Sequence, residues 1–404
     1  MTAGMTPYRI NIGTNRYEAY MKNAFILDPT HGTNIALMGN VSMHQQNASY
    51  GIKDYYVNEK TAYASLIFET NFTDEHNLSA GLSLNHDYLH QSLTLPTSAV
   101  PANYGNLYPL TRGIESETTP GAYVQYTYNL HNKLIAMAGL RVDHSNVYGT
   151  FATPRFHLKW VPTDFLTLRL SASGRRLIID KLNQEAAWNY WASFAFLIPI
   201  AQKMLKLNAE YYYTDFLSQT VIDYDTNPQE IHVTNLDGKS YSHTFQIDAS
   251  YPLFKGLELT VAYRYNLVKT TYGGRLMWKP LQSRYKGLLT ASYKTPLGLW
   301  QFDATLALNG GGRMPEPYTL ATGNLSWERN YKAYGQVNAQ ITRYFRNFSL
   351  YLGGENLTNF KQKNPIIGYQ NPWDNSFEPT MVYGPIQGAM AYVGIRLNLG
   401  KHQQ

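Results

Sequence analysis

The chain has 404 residues, 44% of them apolar and only 15% charged, with no cysteine; soluble domains usually carry about 25% charged residues, so something other than a charged surface faces its surroundings. Thirty-four basic against 28 acidic residues leave a net charge of +6, too dilute over this length to hold nucleic acid, and the lack of cysteine removes disulfides and thiolate metal sites. No run approaches the roughly 18 apolar residues of a membrane helix, yet aromatics reach 14%, with 34 tyrosines against 16 phenylalanines, the polar-tipped kind that suits an oil–water boundary.

The N-terminal MTAGMTPYRINIG shows no basic region followed by an apolar core, so no signal peptide is read there. A first strand is expected from Arg16 to Leu27, with a brief turn at 28–32. Residues 44–59 and 91–116 read as long loops. Between them, Leu78, Ala80, Leu82, Leu84, His86 and Tyr88 alternate with Asn77, Ser79, Gly81, Ser83, Asn85 and Asp87, a period of two that predicts a half-buried strand. The same split separates Leu134, Ala136, Ala138, Leu140 and Val142 from Arg141 and Asp143. Leu166, Leu168 and Leu170 likewise alternate with Thr167, Arg169 and Ser171. Further on, Leu257, Leu259, Val261, Tyr263 and Tyr265 oppose Glu258, Thr260, Arg264 and Asn266, and Trp300, Phe302, Ala304, Leu306 and Leu308 oppose Gln301, Asp303 and Thr305. The last strand sets Ala391, Val393, Ile395, Leu397 and Leu399 against Tyr392, Arg396 and Asn398.

Soluble sandwiches alternate too, so strand length and loop pattern decide. Soluble strands run about five or six residues, whereas roughly seventeen segments here are mostly long enough to cross a bilayer as tilted strands of about nine to eleven. Short turns at 73–76, 130–133, 161–164, 252–256, 295–298 and 344–347 fall at every second junction. Long loops lie between them, at 44–59, 91–116, 271–283, 310–330 and 357–386. That asymmetry predicts an all-β fold, a transmembrane antiparallel β-barrel bathed by outer-membrane lipid. Charges such as Arg141, Arg169, Arg264 and Asp303 then line a wet interior, which a soluble core would not tolerate.

Motifs for chemistry are weak. His86 and His90 are spaced as on a metal-binding helix, but four residues of strand span about 13 Å, so no metal is assigned. Gly310-Gly311-Gly312-Arg313 lacks the Lys-Ser/Thr of a phosphate loop, and no G-x-S-x-G elbow occurs; no catalytic residue and no cofactor are assigned. The long loops hold the candidate substrate-binding residues Arg275, Trp278, Arg313, Tyr318, Trp327, Tyr369 and Trp373. Aromatic faces beside a guanidinium suit a sugar, a siderophore or another anionic chelate. The same rings equally suit an interfacial girdle.

The stretches GGENLTNFKQKNPIIG (353–368) and YGPIQGAMAYVGIRLNLGK (383–401) resemble the C-terminal barrel of TonB-dependent outer-membrane receptors of the Bacteroidetes type, and 235–265, SRYKGLLTASY and NGGGRMPEP extend the likeness. The resemblance implies a barrel of about twenty-two strands in the outer membrane of a Gram-negative bacterium. It further implies a plug within the barrel and energy-coupled uptake of a small-molecule ligand, a siderophore, metal chelate, cobalamin or glycan, driven by the inner-membrane protein TonB. The chain is read as departing from that pattern: no plug or TonB-binding box is read in these residues, the connection between Ser173 and Trp188 looks short, and the GKHQQ terminus lacks the final aromatic. Residues 1–404 are therefore expected to be one barrel domain, about seventeen strands of the family's complement, incomplete at its N-terminus. An odd count makes first and last strands parallel. A passive porin-like channel, which needs no plug, is the alternative reading.

Overall fold

A computed structural model describes residues 9–51, 53–94, 112–174, 185–226, 232–319, 323–370 and 378–397. It divides into two compact units, 1–157 with 173–184 and 158–172 with 185–404. Among the described residues no helix is long and apolar enough to cross a membrane.

The first unit carries β1 (Ile10–Asp28), β2 (Thr33–Tyr50), β3 (Lys53–Thr73), β4 (His76–Thr94), β5 (Arg112–Leu130), β6 (Leu134–Ser145) and the start of β7 (Gly149–Thr163). From β1 to β6 each strand pairs antiparallel with the next. The register sorts the two faces. Leu66, Leu82, Ala122 and Val142 form one cross-strand row, and one step along lies the row Ser65, Ser83, Gly121 and Asp143. On the apolar face Leu82 is 60% exposed, an arrangement that only lipid satisfies. On the polar face Arg141 binds both oxygens of Asp143 and donates to Ser83 Oγ at 2.7 Å. Gly121 leaves room for this pair, and a Cβ there would meet that carboxylate and guanidinium and displace them.

Residues 44–59 are not a long loop. β2 and β3 run through them as one hairpin, β2 ending at Tyr50 and β3 starting at Lys53. The polarity that suggests a loop has a physical cause: β3 is 21 residues long, about 70 Å at about 3.3 Å per residue, so one end projects well past the hydrocarbon. There the rows Gln45–Asn58–His90 and His44–Glu59–Leu89 put polar groups on both faces, and the alternation that marks a half-buried strand disappears. The first strand is likewise longer than the expected 16–27. The loop expected at 91–116 shrinks too, since β4 runs to Thr94 and β5 starts at Arg112; 95–111 lie outside the described residues, as does most of the 173–188 connection.

The second unit carries β8 (Leu166–Gly174), β9 (Ala186–Ile200), β10 (Lys203–Ser218), β11 (Thr220–Asp223), β12 (His232–Asn235), β13 (Ser240–Phe254), β14 (Leu257–Tyr272), β15 (Arg275–Trp278), β16 (Tyr285–Lys294), β17 (Trp300–Asn309), β18 (Gly312–Arg313), β19 (Asn330–Tyr331), β20 (Tyr334–Tyr344), β21 (Phe348–Glu355) and β22 (Met390–Leu397). Strands β9, β10, β13, β14, β16, β17, β20, β21 and β22 pair antiparallel in that order. The short elements β11, β12, β15, β18 and β19 build the long connections at one end.

One apolar row crosses six strands: Leu207, Ala249, Val261, Leu289, Leu306 and Val337. Its neighbour reads Lys206, Ser250, Thr260, Thr290, Thr305 and Asn338, laced by Ser250–Thr260 at 2.7 Å and Thr290–Thr305 at 3.2 Å. The apolar face is bounded by aromatic rows. Tyr211, Phe245, Tyr265 and Tyr285 stand level toward the long-loop end, and Tyr293 stands level with Leu257 toward the short turns. On β14 the two levels are about 27 Å apart at about 3.4 Å per residue. A strand tilt of about 40° reduces this to about 21 Å, close to the apolar band of about 25 Å between aromatic girdles of outer-membrane barrels. The chain is all-β, a transmembrane antiparallel β-barrel fold, with seventeen main strands among the described residues once the short β15 is set aside.

Candidate functional site

The candidate site is the long-loop end of the second unit, where the connections β10–β13, β17–β20 and β21–β22 fold onto one another and onto the connection between β14 and β16. The first, between β10 and β13, forms the β11–β12 ladder and a turn held by Asp223. One oxygen of that side chain accepts the amides of Asp225 at 2.7 Å and Thr226 at 3.1 Å, and the other accepts the Thr226 hydroxyl. Burial alone raises a carboxyl pKa. Here the hydrogen bonds from Thr226 and Asp225, with His232 nearby, outweigh burial and hold Asp223 below the usual range.

The turn delivers Asp225 to Arg313. Its two oxygens take Nη1 and Nη2 at 2.7 and 2.8 Å, and Nε of Arg313 donates to the Trp278 carbonyl at 2.7 Å. The Glu316 amide also donates to Asp225, at 2.8 Å. The guanidinium lies 5.7 Å from the Tyr272 ring centroid. Side-chain exposure is 15% for Arg313 and 3% for Asp225, so the fork–fork pair is screened from water and ties residues 88 positions apart.

Beyond Arg313, Met314, Trp327 and Tyr331 of the second connection pack a small core with Met381 of the third, flanked by Leu281, Tyr318, Ile367 and Tyr383. The Trp327 indole N–H donates to the Pro315 carbonyl at 2.8 Å, and Tyr318 meets the Trp327 ring edge-on at 5.6 Å. Tyr331 stacks on Tyr383 of the third connection at 4.3 Å. Burial raises the phenol pKa of both. Gln362 closes the third connection: its amide donates to the Met381 carbonyl at 2.8 Å, and its oxygen accepts the amides of Tyr383 and Gly384.

The seven sequence-derived candidates therefore separate. Arg313, Tyr318 and Trp327 come together within this loop core. Trp278 pairs across from Lys269, on the face that carries Val261 and Tyr265, between the Lys269 ammonium at 5.7 Å and the Arg284 guanidinium at 4.6 Å. Arg275 is exposed beside the Gly273-Gly274 turn, where both glycines adopt positive φ. Tyr369 is 62% exposed. Trp373 lies outside the described residues. His86 and His90 are engaged separately, with Thr118 and with the edge of Tyr56. Sequence reading missed Asp225, Gln362 and Tyr383; an acidic residue in a polar stretch such as DYDTNP carries no sign of a partner 88 residues away.

The family model described as TonB dependent receptor-like, beta-barrel matches residues 7–357. Among proteins of curated function no relative matches. Similar solved structures include the copper transporter OprC (TM-score 0.72, 12% identity, 95% of this chain and 64% of that one) and the FrpB iron transporter from Neisseria meningitidis (0.68, 13%, 95% and 63%). The ferripyoverdine receptor of the outer membrane of Pseudomonas aeruginosa is a third (0.68, 14%, 94% and 55%). The chain thus spans under two thirds of the length of each. With a match over most of its length and the fold described above, the chain belongs to the TonB-dependent receptor-like β-barrel family.

Proposed function

We propose that the chain is the membrane-spanning barrel of an outer-membrane receptor in a Gram-negative bacterium, taking up a scarce metal chelate such as a siderophore with energy delivered by TonB. The observation that carries this reading is the asymmetry between the two ends of the second unit. Short turns close one end. At the other, the long connections share a packed core and a buried Arg313–Asp225 pair, more structure than a bare diffusion pore requires. A binding surface must be held in place before a ligand arrives, and this core supplies the support. Arg313, Tyr318 and Trp327 set the platform, while Arg275, Tyr369 and Trp373 meet the ligand. Trp278 completes the rim. The copper, iron and ferripyoverdine names of the similar structures favour a metal or metal chelate over a glycan or cobalamin.

The test is uptake by cells carrying the intact protein, offered labelled ferric chelates and copper at limiting concentration, with and without a functional TonB. Saturable uptake that stops without TonB and weakens in Arg275→Ala and Tyr369→Ala is the expected result. Uptake that rises linearly with concentration and ignores TonB would establish a passive channel instead.

A further inference from the structure

On the apolar face of the second unit, one charged group stands at the short-turn end without a protein acceptor. Arg343 on β20 pairs across from Trp300 and Leu350, in the line of outward residues that includes Ile341, 43% exposed. Its guanidinium lies 4.9 Å from the Trp300 ring centroid and 5.5 Å from that of Phe345. The rings continue on both sides: Phe345 stacks on Phe348 at 4.5 Å, and Trp300 leads through Phe302 and Tyr293 to Phe254. Arg343 is thus set into an aromatic girdle. Elsewhere in the chain Arg141, Arg264 and Arg313 each have a side-chain oxygen within hydrogen-bond distance. Among the described residues, Arg343 has only the two ring contacts.

A guanidinium carries five N–H donors, and leaving them unpaired at the edge of hydrocarbon is costly. Ring faces hold the cation's plane but accept none of those hydrogens. At the level of an interfacial girdle the abundant acceptor is the phosphate of a membrane lipid, whose oxygens match the planar fork two at a time. We propose that Arg343, held by Trp300 and Phe345, binds the phosphate of a glycerophospholipid in the leaflet facing the short turns. The site is a fixed lipid contact on the barrel's outer wall, independent of any ligand taken up at the loop end.

The experiment is native mass spectrometry of the intact protein in detergent micelles, loaded with phosphatidylglycerol or with a phosphate-free galactolipid of the same acyl chains. Retention of phosphatidylglycerol over galactolipid is expected in the wild type. It should fall about tenfold in Arg343→Gln, as loss of a charge-assisted hydrogen bond implies, and persist in Arg264→Gln, on the opposite face. Resistance of folded protein to unfolding in cold detergent gels establishes that the variant is assembled. Equal retention in Arg343→Gln would overturn the proposal. If that variant does not fold, the wild-type comparison decides alone, since galactolipid held as firmly as phosphatidylglycerol excludes phosphate recognition.

Discussion

Tyr351 lies across Gly394, its direct cross-strand partner, and Tyr392 lies across Gly353 in the next pair on the same face, so the two strands exchange ring for glycine. The rings meet at 63°, and the Tyr392 hydroxyl donates to Gln340 on β20 at 3.0 Å. A Cβ at 394 or 353 would collide with the facing ring. Gly394→Ala is therefore expected to cost about 1–3 kcal/mol, the usual cost of overpacking, read as a lower temperature for loss of the compact form in heat-modifiability gels. Tyr351→Ala in the same chain removes the collision and should recover part of the loss. An unchanged transition in Gly394→Ala would show that the ring swings aside freely.

The fold was legible wherever a strand has one face in lipid and one in water, because that contrast writes a period of two into the residues. The rows through Val261 and Thr260 were visible in this way. Where both faces are wet, as at His44, Gln45 and Asn58, the contrast vanishes, and the end of the β2–β3 hairpin reads as a loop. In the candidate site the residue types were legible but their partners were not. Arg313 and Trp327 stood out as an arginine and an aromatic in a long loop, yet what they touch depends on Asp225 and Met381, set by tertiary folding of other connections. The Gly310–Arg313 run shows the same limit: a Cβ at 310 would strike the Tyr285 ring, and one at 312 the Tyr331 ring, a packing demand that local sequence does not display.

The Arg313–Asp225 pair makes a prediction about loop order. Removing one member of a buried ion pair strands the other and typically costs about 3–5 kcal/mol, whereas replacing both by apolar groups is often neutral. Asp225→Ala should open the connections at 224–226 and 311–318 to protease, with the strands of the barrel intact. Asp225→Leu with Arg313→Met should be digested less readily than Asp225→Ala. Comparable resistance of the single variant and the wild type would mean that the Met314–Trp327–Met381 cluster alone holds these loops.

The assignment of faces rests on register and is open to a same-strand comparison on β14. Val261 is 52% exposed on the apolar face, and Arg264 on the polar face donates to Gln246 at 2.8 Å. An arginine on the lipid face near the bilayer midplane costs about 2–4 kcal/mol, so Val261→Arg should sharply reduce the folded fraction after refolding into lipid vesicles. Arg264→Leu removes a hydrogen bond on the wet face and should assemble nearly as well as wild type. Equal assembly of the two variants would contradict the assignment.

The last prediction concerns acid. Asp223 accepts the amides of Asp225 and Thr226 and the Thr226 hydroxyl. Burial works against its charge, but those bonds prevail, and its pKa is lowered from the ordinary 3.8. For a carboxyl whose folded-state pKa is depressed, the stabilisation is fully present above the unfolded value and is lost as pH falls through the folded one. The turn that presents Asp225 to Arg313 should therefore be intact near neutrality and begin to loosen only below about pH 3.8. Hydrogen-exchange protection factors for the Asp225 and Thr226 amides, corrected for the intrinsic pH dependence of exchange, would report it. Both should hold steady above that point and fall together below it. In Asp223→Asn, which keeps an acceptor oxygen without the charge, protection should be lower at neutral pH and indifferent to acid. Wild-type protection that stayed flat down to pH values where the carboxyl is protonated would show that the backbone of the β11–β12 ladder, and not the Asp223 side chain, fixes this turn.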